Sequence, residues 1–170
     1  MPFSAEQVAA SHAAPLQAFR RIAELSGGQW AEESGLLLYR TPVPDPVVWN
    51  GAALTGALRE PPTQILERAD AFFAPHADSY GFWVVASRDA ALAEFLSTRG
   101  AELIDDSPHM VVDTATVSDA PRSLSVDVVV DDVGRRAFVE VAAAAFETIG
   151  ADPRTWGVVY RRSRRYARTV

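Results

Sequence analysis

The sequence predicts an α/β domain, α+β in strict naming, with a mixed twisted sheet of about six or seven strands flanked by helices. Three observations carry this. Stretches with helical apolar periodicity alternate with short apolar runs bounded by Gly, Pro, Asn and Asp. Residues 82–86 are apolar throughout, the pattern of a buried central strand. Between Gly81 and Asp113 the order strand, helix, glycine, strand is legible.

The elements follow in chain order. Residues 4–26 read as a helix, with Ser4 and Gln7 spaced as a capping box and Gly27-Gly28 as its stop. Val8, Ser11, Ala14, Pro15, Ala18, Ile22 and Leu25 give its periodicity, and Pro15 is expected to split or kink it. Residues 30–33 and 36–40 form a hairpin around Glu33-Ser34-Gly35. Pro42, Pro44 and Pro46 stiffen the next connection. Residues 47–49 read as a short strand and Asn50-Gly51 as a turn. Residues 62–74 form a helix whose apolar face is Ile65, Leu66, Ala69, Phe72 and Phe73. Residues 89–99 form another, burying Leu92, Phe95 and Leu96 and ending at Gly100. Residues 102–104, 110–117 and 123–130 read as strands. Residues 133–148 form a helix with Phe138, Val141, Ala142, Ala145 and Phe146 on one face. A last helix after Asp152-Pro153 carries Trp156, Val159, Tyr160 and Ser163 on its apolar side.

Composition removes several chemistries. The chain of 170 residues holds no cysteine, which excludes disulfides, thiol nucleophiles and cysteine-based zinc sites. All 16 basic residues are arginine, so a lysine Schiff base and a phosphate-loop lysine are excluded. No apolar run approaches the roughly 18 residues of a membrane span, and the first residues lack the pattern of a secretory signal. The expectation is a cytoplasmic protein with no membrane partner. Net charge is −6, yet residues 153–170 hold six arginines and no acid. Such a tail docks on acid, either on its own body or on a partner subunit. The sequence pI near 5.0 argues against nucleic acid as that partner.

Val48-Trp49-Asn50-Gly51, Gly81-Phe82-Trp83-Val84-Val85, the helix from Leu92 to Gly100 and Pro108-His109-Met110-Val111-Val112-Asp113 together resemble the GNAT superfamily of N-acetyltransferases. That family orders its elements as strand, two helices, a three-strand meander, helix, strand, helix, two strands. Residues 30–117 follow this order from its second strand onward, and residues 123–168 resemble its opening. The whole resembles the degenerate first domain of bacterial two-domain GNAT proteins plus the start of a second. The expected organisation is therefore a GNAT-like domain over 1–122 and a strand-helix-helix tail over 123–170. The 123–130 strand is expected to join the sheet in a permuted arrangement, within one chain or by swapping in a homodimer.

The resemblance implies a coenzyme loop of the type Arg/Gln-x-x-Gly-x-Gly/Ala, whose successive backbone N–H groups hold a pyrophosphate at a helix N-terminus. Residues 50–62 depart from it. The leading Arg or Gln is missing, the spacing of Gly51 and Gly56 differs, and Pro61-Pro62 removes two donors. The expected function is thus binding or assembly on a GNAT-like frame without a competent acetyl-CoA loop, and no cofactor is assigned. The alternative is an acetyl-CoA-dependent N-acetyltransferase with a divergent loop, acting on a small-molecule or peptide amine. A basic-tailed nucleic-acid-binding regulator ranks below both.

Candidate pocket residues for a small-molecule ligand are Trp49, Asn50, Gly51 and Trp83, beside a pair of strands that part. Each has a plainer role: Trp49 and Trp83 as core aromatics and Asn50 as a turn residue. Tyr39, Tyr80 and Tyr160 are candidates to protonate a thiolate, as a tyrosine does in the family, but none stands in a family motif. Glu32-Glu33 and Asp105-Asp106 offer carboxylates of the kind a general base needs. His12, His76 and His109 show no metal-ligand spacing.

Overall fold

The computed structural model describes residues 4–43, 49–76, 79–106, 129 and 131–147. Helix α1 (Ala5–Ser26) begins on the expected capping box. The Ser4 hydroxyl accepts from the Gln7 N–H at 3.1 Å, and the Gln7 side chain accepts from the Ser4 N–H at 2.8 Å. It ends at Gly27, in the left-handed region at φ 74°. The helix runs on through Pro15 without being split. Its buried face is Leu16, Phe19, Ala23 and Ser26, not the expected stripe of Val8, Ala14 and Ala18, which are exposed. The larger apolar surface of Leu16 and Phe19 decides which face turns inward.

Strands β1 (Gln29–Glu33) and β2 (Leu36–Arg40) form the expected hairpin. Ser34 at φ 48° and Gly35 at φ 80° make its two-residue loop, a turn that requires positive φ at both positions. Strand β3 is Gly51–Leu54, which corrects the sequence expectation: Trp49 and Asn50 precede the strand, and Gly51 opens it. Helix α2 (Pro62–Phe73) and a short 3-10 turn (Ala74–His76) lead to β4 (Gly81–Trp83), and helix α3 is Ala90–Thr98. Among the described residues the sheet has four strands in the order β1-β2-β3-β4. The first three pair antiparallel, and β4 lies parallel to β3, as a helical crossover requires.

Register gives the sheet two distinct faces. Leu36, Leu38, Ala52 and Leu54 pack with Ile65, Ala69 and Phe73 of α2 and with Leu92 and Leu96 of α3. Phe82, Val84 and Phe95 lie against that cluster, as the sequence predicts. Leu37, Tyr39 and Ala53 pack on the other face against Leu16, Phe19 and Ala23 of α1. Strands β2 and β3 are therefore buried on both sides, whereas β1 is exposed along its length. The 82–86 run is shorter than a central strand should be. β4 ends at Trp83, itself 38% exposed.

Residues 102–104 form no strand and are exposed. Helix α4 (Asp132–Glu147) matches the expected element, but Phe138 and Val141 on its expected inner face are exposed. The strands expected over 110–117 and 123–130, apart from the irregular Val129, and the helix after Pro153 lie outside the described residues. No described helix is long and apolar enough to cross a membrane.

The packing leads to a first prediction. Leu92 is fully buried in the α2–α3 layer, so Leu92→Ala should cost about 2–5 kcal/mol by urea denaturation. Leu103→Ala, at an exposed position, should stay within about 0.5 kcal/mol of the parent.

Candidate functional site

The four candidate pocket residues fall into two groups. Trp49 and Asn50 are buried and inside the structure, while Gly51 and Trp83 lie on the α1 face of the sheet. Asn50 has no exposed surface. Its Oδ1 accepts from the Thr41 N–H at 2.9 Å, and its Nδ2 donates to the Val43 carbonyl at 2.9 Å. Its backbone carbonyl accepts from the Gly81 N–H at 3.1 Å. The side chain thus closes the 41–50 connection, and the backbone receives the first residue of β4. Asn50 is structural, and its amide is already committed to these partners.

Gly51 faces Tyr39 across the β2–β3 pair. The Tyr39 ring lies over it so closely that a Cβ at Gly51 would sit 2.6 Å from the hydroxyl oxygen. Phe19 stacks on Tyr39 with centroids 4.6 Å apart and rings 6° from parallel. Trp83 packs on Phe19 at 5.0 Å. Three rings from α1, β2 and β4 thereby form one aromatic group, and only Trp83 among them is substantially exposed.

The Tyr39 hydroxyl is buried and has no hydrogen-bond partner. Burial holds its pKa well above the ordinary 10.0. The Trp83 indole approaches the hydroxyl and partly offsets that effect, without completing a hydrogen bond. Tyr80 is different. Its hydroxyl donates to Asp70 Oδ1 at 2.6 Å, and burial together with that carboxylate raises its pKa.

Sequence reasoning missed Arg88 and Asp89. The β3–β4 register pairs Gly51 with Gly81 and Ala53 with Trp83. The next parallel rung would join the Val85 N–H to the Leu54 carbonyl. Instead the Val85 N–H donates to Asp89 Oδ2 at 2.9 Å, and Arg88 Nη2 donates to the Leu54 carbonyl at 2.9 Å. Arg88 and Asp89 also bond each other through two donors, at 2.6 and 2.7 Å. An ion pair thus fills the place where the strands part. The adjacent Arg-Asp dipeptide was the available signal, but its role depends on a register that the sequence does not display.

The remaining candidates do not converge on this place. Glu32 pairs with Arg20, and Glu33 offers its backbone carbonyl to Arg68. Asp105 and Asp106 are exposed, and His109 and Tyr160 lie outside the described residues. Among the described residues no group of three or more His, Asp or Glu side chains could hold a metal ion. No known protein family, curated protein or solved structure matches this chain.

Two predictions test this geometry. Asn50→Ala strands the Thr41 N–H and the Val43 carbonyl, each of which should cost about 1–3 kcal/mol in a urea titration. The second concerns alkali. Below pH 10.0 the Tyr39 phenol is neutral in both states, and above it the unfolded phenol ionises first. Stability should therefore fall as pH rises through this range, by at most about 1.4 kcal/mol per pH unit from Tyr39. Denaturant midpoints measured from about pH 9 to 11 should fall less steeply in Tyr39→Phe.

Proposed function

We propose that this chain is a binding or assembly module on a GNAT-like frame that does not hold acetyl-CoA in the manner of that family. Support for the frame comes from element order. A helix, three antiparallel strands, a helix, a parallel strand and a helix follow one another as the resemblance implies.

The observation that carries the functional part is the start of α2. A pyrophosphate at a helix N-terminus needs free backbone N–H groups there. Pro61 and Pro62 supply none. The Gln64 N–H turns back to the Pro61 carbonyl at 2.9 Å. Glu60, just before the helix, takes Arg68 as its partner at 2.8 Å, which neutralises a nearby cation. The parting strands next to this loop are bridged by Arg88 and Asp89.

The partners in this reading are a small-molecule ligand and a second copy of the chain in a cytoplasmic homodimer. Leu103, Ile104, Val133 and Val141 are 64–80% exposed, and apolar side chains of this kind favour association.

Acetyl-CoA tests the reading directly. A ligand at about 100 times its dissociation constant stabilises a fold by roughly 2.7 kcal/mol. Millimolar acetyl-CoA should leave the melting temperature unchanged. A clear rise would overturn the proposal and favour an N-acetyltransferase with a divergent loop.

A further inference from the structure

We infer that the α1 face of the sheet beside Tyr39 is a binding site for a small planar molecule carrying a neutral hydrogen-bond acceptor, with Trp83 as its movable wall. The site deepens the binding role proposed above and rests on it. Its physical basis lies on the face of the sheet opposite α2, so the two can fail separately.

Four features meet there. The Tyr39 hydroxyl is fully buried and unpartnered. A buried hydroxyl without a partner is costly and needs an explanation. Along its cross-strand row, Tyr39 is followed by Gly51 and then by Gly81. Beyond the tyrosine ring, that row has no side chains. Trp83, two residues further along β4, stands on the same face and is 38% exposed. It rests on Phe19 at one side, and its strand is only three residues long.

The chemistry of the ligand follows from these neighbours. A phenol whose ionisation is opposed by burial remains a donor, so it selects an acceptor such as a carbonyl oxygen or a ring nitrogen. Gly51 lies under the Tyr39 ring itself, and Gly81, the next residue along the row, spends its N–H on the Asn50 carbonyl. A lone water, which needs two to four polar partners, is poorly served there. A flat molecule needs one hydrogen bond and gains the rest from stacking on an indole.

Benzamide is a suitable probe, with toluene as the control lacking an acceptor. Binding to the full chain would be followed by NMR at the Trp83 indole N–H, assigned with Trp83→Phe. The expected result is a saturable benzamide shift at Trp83, weaker binding of toluene, and affinity for benzamide lowered about fivefold or more in Tyr39→Phe. Tyr39→Phe keeps the stacked ring and removes the unpartnered oxygen, so it should fold at least as well as the parent. Equal benzamide affinity in Tyr39→Phe, equal binding of toluene, or no saturation up to the solubility limit would each overturn the site.

Discussion

Asn50 is the residue on which the arrangement of the sheet depends. One buried amide satisfies the backbone on both sides of the turn that follows β2, and the carbonyl of the same residue receives the N–H that starts β4. The connection from β2 to β3 contains several prolines and could not close itself with regular backbone bonds. A side chain with both a donor and an acceptor solves that problem at one point. Because the β3–β4 pairing begins at this residue, its position also sets the register that aligns Gly51 with Gly81 and Ala53 with Trp83.

From that register the two faces acquire different characters. The face toward α2 and α3 is a conventional core of leucine, isoleucine and phenylalanine around β2 and β3. The face toward α1 is aromatic: Phe19 and Tyr39 fill the space above Gly51, and Trp83 closes its side. Glycine is required at 51 because the tyrosine ring occupies the place of a side chain. The cross-strand row runs Trp30, Tyr39, Gly51, Gly81, and the orphan hydroxyl of Tyr39 lies over the first of the two glycines.

The same register explains why the strands part as they do. Where the next rung would form, Arg88 and Asp89 take its donor and acceptor separately. A largely buried ion pair adds little net stability over apolar packing, but removing one member leaves the other uncompensated. The pair is thus a spacer between the ends of β3 and β4 that satisfies both the Val85 N–H and the Leu54 carbonyl. The proline pair at the start of α2, the element that follows β3 in the chain, contributes no backbone N–H.

Much of the fold was legible in the sequence, and the reasons are local. The capping box of α1, the Ser34-Gly35 hairpin turn and the apolar faces of α2 and α3 each follow from residues within one or two turns of one another. Pro61-Pro62 determined by itself that α2 would begin without its first donors, because proline lacks the N–H in any surroundings. Tertiary structure decided the rest. Asn50-Gly51 has the composition of a turn, yet it became a buried bridge and the first residue of a strand, because its partners Thr41, Val43 and Gly81 come from other segments. α1 turned Phe19 inward because Tyr39 was there to stack against. Whether Tyr39 would find a partner for its hydroxyl, and whether Arg88 and Asp89 would lie on the surface or between strands, depended on cross-strand register. A linear sequence contains the residues for such contacts but not the alignment that brings them together.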